Sequence, residues 1–152
     1  MKDKLLEELR YSASIVLAGE EVTPRFLVIC PDGDWTVVVP LPEDIGVRQA
    51  RMQLLYGFMA WKSATAFIMS SQLSIPSVIA SIGVDRDAVR CAVRPLLRKP
   101  RTLGPMEWWP EDRIGAEIVA LLPRGQVSVD RQTEADLVRA FGAGGELEAR
   151  PC

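Results

Sequence analysis

Residues 52–104, MQLLYGFMAWKSATAFIMSSQLSIPSVIASIGVDRDAVRCAVRPLLRKPRTLG, decide how this chain reads. The stretch opens inside an apolar helical pattern. Ile45, Met52, Leu55 and Met59 share one face, and Leu54, Phe58 and Trp61 share an adjoining one. Pro42, Glu43 and Asp44 suit a helix start, where negative charge meets the positive end of the helix. The spacing therefore predicts the longest helix over Glu43–Lys62, with an apolar arc wide enough to cover a sheet, or a sheet and another chain. Strand-like segments follow. The first is Ala64–Met69, with Ser70-Ser71-Gln72 as its polar end. The second is Pro76–Val84, where Val78, Ala80 and Ile82 alternate with Ile79, Ser81 and Gly83. Asp85-Arg86-Asp87 reads as a tight turn. The third segment, Ala88–Arg98, also fits a helix through Val89, Val93, Leu96 and Leu97, with Asp85 as cap. Pro95 in its interior costs such a helix about 3 kcal/mol. The strand is the reading adopted, with Val89, Cys91 and Val93 inward, and Pro95 marking an edge or a bulge.

Outward from this stretch, the pattern continues on both sides. Toward the start, Leu5, Leu9, Ala13 and Val16 make one face of a helix over Asp3–Leu17, a helix that packs on its own sheet. Pro24–Leu41 reads as a hairpin: an apolar run Phe26–Cys30, a turn at Pro31–Asp34 and a return strand Trp35–Val39. Asp32 and Asp34 bracket a glycine, but the spaced oxygen ligands and closing glutamate of a calcium loop are missing. Toward the end, Leu103-Gly104-Pro105 is a turn. A helix is predicted from Pro110 to Leu122, burying Ile114, Ile118, Leu121 and Leu122. Gln126–Val129 is a short strand or arm. Asp130 caps a last helix to Phe141, with Leu137, Val138 and Phe141 inward and Gly142 as its stop. Residues 1–142 then form one globular domain and 143–152 a frayed tail, with Glu146–Ala149 as an alternative edge strand. The fold class is α+β: an antiparallel sheet of about five strands covered by a long central helix and two or three further helices.

Three short segments carry a resemblance. Ala66-Phe67-Ile68-Met69-Ser70, Arg94-Pro95-Leu96-Leu97-Arg98 and Leu103-Gly104-Pro105 look like the corresponding parts of small bacterial α/β proteins with no assigned activity. The resemblance covers about a third of the chain. It favours the strand reading of Ala88–Arg98 and implies no activity. In those proteins a Ser-Glu-Ala-Trp segment follows the helix–strand junction. Ser70-Ser71-Gln72 stands there in this chain, so no acidic site carries over.

Composition narrows the chemistry. A chain of 152 residues, 48% hydrophobic and 25% charged, supplies one ordinary core. The net charge of −2 argues against a surface that is basic throughout, and leaves room for one local basic patch. Histidine is absent, which removes the commonest general base, the commonest zinc ligand and every Ser-His or Cys-His pair. The three cysteines, Cys30, Cys91 and Cys152, contain no C-x-x-C pair, so reduced thiols and a cytoplasmic protein are expected. The charged start, MKDKLLEELR, is not a signal peptide, and no apolar run is long enough to predict a transmembrane helix.

Two constellations stand out. Arg86, Arg90, Arg94 and Arg98 recur every fourth residue, with Lys99 and Arg101 beyond. That spacing lines one face of a helix or of a strand, and guanidinium forks fit phosphate or carboxylate. The plain alternative is a solvated face paired with neighbouring acids. Trp108 and Trp109 are the second constellation. Adjacent indoles cannot both enter one core, so one is available to an interface, a ligand or a base. Ser70, Ser71, Ser74 and Ser77 lack any base and any G-x-S-x-G elbow, and read as strand-end and loop residues. The expected function is a non-catalytic protein-interaction module that forms a homo-oligomer, with Trp108 and Trp109 at its interface. The alternative is an anion or nucleic-acid binder using Arg86, Arg90, Arg94, Arg98 and Arg101. An enzyme carries the least weight. No cofactor, metal or membrane partner is expected.

Overall fold

The computed structural model describes all residues, Met1–Cys152. Helix α1 spans Lys2–Leu17 and leads through a loop into strands β1 (Arg25–Ile29) and β2 (Trp35–Val38). Helix α2 (Ile45–Trp61) follows, then β3 (Ala66–Ser74), β4 (Ser77–Asp85), β5 (Val89–Arg98), β6 (Arg101–Leu103) and β7 (Glu107–Trp109). A 3-10 turn at Glu111–Arg113, a single-turn helix α3 (Ala116–Val119), helix α4 (Arg131–Phe141) and strand β8 (Glu148–Pro151) complete the chain. No helix is long and apolar enough to cross a membrane.

One eight-stranded antiparallel sheet organises the molecule, in the order β6-β5-β4-β3-β1-β2-β8, with β7 also paired to β5. Its two faces are buried by different helices. On one, Leu5, Leu9, Ala13 and Val16 of α1 pack on Ile68, Ile79, Ala92 and Leu96. On the other, Leu55, Phe58 and Met59 of α2, Leu137 of α4 and Leu121 and Leu122 between them cover Phe26, Val28, Val37, Phe67 and Met69. The 3.6-residue and two-residue periodicities of these segments thus meet in two cores, one on each side of the sheet.

Close approach sets the seat of α1. A Cβ added to Gly83 would lie 3.0 Å from Leu5 Cδ1 and 3.2 Å from Met1 Sδ, so glycine lets the start of this helix sit close to the sheet without those side chains giving way. Beneath α1 the sheet also buries charge. The Glu8 carboxylate, 8% exposed, accepts from Arg25 Nη2 and from the Ser70 hydroxyl, each at 3.5 Å. The Arg25 guanidinium lies 4.2 Å from the Tyr11 ring.

The sheet is larger than the five strands expected, and no long central helix exists. At 17 residues α2 exceeds α1 by one and lies on one face, while the sheet occupies the centre. The additional strands are short. β6 and β7 have three residues each, too few to show an alternating pattern. The end of the chain is not a frayed tail either: Glu148–Pro151 pairs with Val38–Trp35, and Leu147 is buried behind it. Residues 110–122 form only the 3-10 turn and one turn of α3, although Ile118, Leu121 and Leu122 are buried as expected. Val138 faces outward at 54% exposure, and residues 126–129 form no strand.

Ala88–Arg98 is a strand, and its proline is accommodated by the edge. Along the outer side of β5, β7 pairs with residues 91–93 and β6 with residues 96–98, so Pro95 falls in the gap. Its carbonyl accepts from Gly104 N at 2.8 Å on that outer side. The amide hydrogen it lacks would point the same way, and the pairing with β4 is undisturbed.

Candidate functional site

Strand register decides where the arginines go. Residues 90, 92, 94, 96 and 98 share the face of β5 that carries α1, because Ala92 and Leu96 are buried beneath that helix. Arg90, Arg94 and Arg98 therefore alternate with the α1 contacts along its flank, and Arg86 sits in the turn between β4 and β5. The file is not uniform. Arg94 donates from Nε to the Gly104 carbonyl at 2.9 Å, bracing the β6–β7 connection. Arg101 donates to the Val16 carbonyl and, at 2.9 Å, to the Glu20 carbonyl, and so satisfies acceptors at the C-terminal end of α1. These two are structural. Arg86, Arg90, Arg98 and Lys99 are exposed. The ion pairs of the protein, Lys4–Asp34, Arg25–Glu8, Arg139–Asp136 and Arg150–Glu148, leave all four out.

The two tryptophans part company because β7 is a strand. Trp109 lies opposite Cys91 and packs beside Ile114 over the small cluster of Val78, Ala80, Cys91 and Val93. The Arg113 guanidinium lies 3.8 Å from its ring, so this indole is an internal anchor. Trp108 lies opposite Ala92 on the α1 face and is 43% exposed. Arg90 and Arg94 are its diagonal neighbours, about 7–8 Å away along the backbone. Lys2 Nζ approaches the ring to 5.6 Å. Of the two tryptophans, Trp108 thus joins the arginine file and Trp109 does not.

The combined surface is a cationic edge with an aromatic platform: Arg86, Arg90, Lys2 and Trp108, with Arg98 and Lys99 at the far end of β5. Residues 63–84 contain no charged side chain, and residues 88–106 contain five basic side chains and no acidic one. Asp85 and Asp87 flank Arg86 and Glu107 precedes Trp108, but β5 and β6 carry no acid to relieve the repulsion among Arg90, Arg94, Arg98, Lys99 and Arg101, which favours an anion there. Lys2 was not visible as a participant from sequence. The periodicity of α1 gave its buried face and not the strands it would cross.

Elsewhere the features are different in kind. A cleft of about 1040 Å³ between α2 and α4 has Ala50, Leu54, Gly57, Val129 and Leu137 on its walls. Its basic rim residues are engaged: Arg51 donates to the Pro40 carbonyl and Arg139 to Asp136. Asp130 accepts from Thr133 N at 2.7 Å as the cap of α4, and that hydrogen bond lowers its pKa below the usual carboxylate range. Ser70 and Ser71 lie inside β3 and are buried, which corrects their reading as strand-end residues. No cluster of three or more Cys, Asp or Glu is placed to hold a metal ion.

Burial pushes the Cys30 and Cys91 thiols up to about 11, with Asp34 adding to the effect at Cys30. Neither supplies a thiolate nucleophile near neutral pH. Alkylation of the native protein is expected to modify Cys152 alone, and all three thiols after unfolding, as counted by intact mass. Because both folded pKa values lie above the unfolded one, the corresponding stability is complete below about pH 9 and is lost as the pH rises toward 11. Urea midpoints measured across that range should fall.

Comparison with protein-family models, with curated proteins and with solved structures found no match, so the case for function rests on this surface alone.

Proposed function

We propose that this protein is a non-catalytic binding module that takes an anionic partner on the β5–β7 edge. The observation that carries this reading is the pair of exposed arginines without ion pairs, Arg86 and Arg90, of which Arg90 is a diagonal neighbour of the half-exposed Trp108. Cations that no acid neutralises recruit phosphate or carboxylate, and an indole beside them adds a stacking surface.

A single-stranded oligonucleotide is a convenient probe. Its affinity should fall with salt, with a log–log slope of about −0.7 per phosphate contacted. Arg86→Glu/Arg90→Glu should weaken binding by about tenfold or more and flatten that slope. Trp108→Ala should cost about 1–3 kcal/mol if a base stacks there. Titrations by fluorescence anisotropy at several salt concentrations decide it. Binding that ignores salt, or that survives the double substitution, refutes the reading.

A homo-oligomer is the second reading. Ile45, Met52 and Tyr56 lie along one face of α2 beside α3, interrupted by Arg48 and Gln49, and Ile45 is 71% exposed. Apolar residues along one face suit a second copy of the chain. Sedimentation velocity should then show a dimer that Ile45→Asp converts to a monomer. A monomer at every accessible concentration refutes it.

A further inference from the structure

Two hairpins end side by side at one end of the sheet. Val78 pairs with Pro95, so continuing the register brings Leu97 level with Pro76 and Arg98 level with Ile75. The turns at residues 74–77 and 98–101 therefore lie on neighbouring strands, about 5 Å apart. Their apolar side chains are left open to solvent. Ile75 is 93% exposed, Leu97 52% and Leu73 39%, and Pro76 and Pro100 are exposed beside them.

The C-terminal end of α1 reaches only as far as Arg101, which donates to the Val16 carbonyl, and leaves Ile75 and Leu97 open. The apolar covering of the face opposite α1 stops at Val78 and Val93, which are buried by the segment around Trp109 and Ile114. The clefts between α2 and α4 and beside α3 are lined by other residues. The tip thus carries its aliphatic side chains outward into solvent, Ile75 most of all. Its charge has one sign on these strands. Arg98 and Lys99 are exposed and without ion pairs, while Arg101 is committed to the α1 carbonyls. Glu20 and Glu21 border the tip from the α1 side, where Val22 N donates to Gln72 Oε1.

We propose that these paired hairpin ends dock on an anionic lipid surface, with Ile75 and Leu97 entering the headgroup–acyl boundary and Arg98 and Lys99 meeting lipid phosphates. The proposal goes beyond the anionic-partner reading, because the tip lies at the opposite end of β5 from Arg90 and Trp108 and takes a surface of its own. Exposed aliphatic side chains beside exposed cations match a bilayer interface, which supplies an apolar layer directly beneath negative charge. A soluble polyanion offers nothing to Ile75. No membrane partner was expected because no apolar run is long enough for a transmembrane helix, and a peripheral tip needs no such helix.

Flotation with phosphatidylcholine vesicles, with and without phosphatidylserine, tests this on the full chain, with the single-stranded oligonucleotide titrated in parallel. Binding should require phosphatidylserine and fall with salt. Ile75→Ser/Leu97→Ser should lower vesicle binding by about tenfold or more while leaving oligonucleotide affinity unchanged. Arg98→Glu/Lys99→Glu should lower vesicle binding by a similar factor. Ile75 and Leu97 are exposed, so both variants should keep the circular dichroism spectrum of the parent. Vesicle binding unaffected by the tip substitutions overturns the proposal. Oligonucleotide binding without vesicle binding overturns it too and leaves the proposed function standing. Loss of both overturns both. Self-association abolished by Ile75→Ser, without vesicle binding, assigns the tip to a second copy and also overturns it.

Discussion

Phe58→Ala should destabilise the protein by about 3–5 kcal/mol, a large share of the stability of a domain this size. Phe58 is 1% exposed, and its ring joins three elements. The centroids of Trp35 in β2, Trp61 at the end of α2 and Phe141 at the end of α4 lie 5.7, 6.2 and 5.1 Å away. Truncation removes the transfer free energy of a buried ring and opens a space that these rigid neighbours cannot fill. Urea unfolding followed by tryptophan fluorescence and by far-UV circular dichroism measures it. Phe58→Leu, which keeps more of the volume, should cost less. A loss below about 1 kcal/mol for the alanine variant would contradict the packing described.

Arg25→Ala should cost about 3 kcal/mol for a different reason. It strands the Glu8 carboxylate beneath α1 with the Ser70 hydroxyl as its remaining partner. It also removes the guanidinium stacked on Tyr11. The penalty comes from the charge left behind more than from the bond lost, so Glu8→Leu/Arg25→Leu should be more stable than Arg25→Ala. A double-mutant cycle in urea separates the two contributions. Equal stability for the single and double variants would show that the pair is already well solvated.

What could be read in advance follows from what each signal encodes. The buried face of α1 and the cap at Asp130 are local properties and stand where the sequence placed them, while α2 starts at Ile45 with Asp44 as its cap, two residues later than the Glu43 start expected. The strand at Val89–Arg98 was legible because a proline weighs heavily against a helix and lightly against an edge. β6, β7 and β8 were not legible, since a strand of three or four residues is defined by its partner rather than by its own pattern. The candidate site was half legible. Arginines at every fourth residue fall on one face in either secondary structure, but only the register shows that Trp108 joins them and Trp109 turns away. Nothing in the sequence said that Arg94 and Arg101 would be consumed in bracing backbone carbonyls.

The pairing of β2 with β8 sets an order of assembly. β3, β4 and β5 follow one another along the chain and zip through short turns. Val37 and Ala149, in contrast, meet across most of the chain, and each doubling of an enclosed loop adds about 0.6 kcal/mol of closure entropy. The meander is expected to form first, where encounter is quick, and the β8 edge to close late, an order that pulsed hydrogen exchange would show as later protection of the amides that pair β2 with β8 than of Ile82. Until then β2 presents an open strand, and crowded, partly folded chains are most exposed to mispairing there.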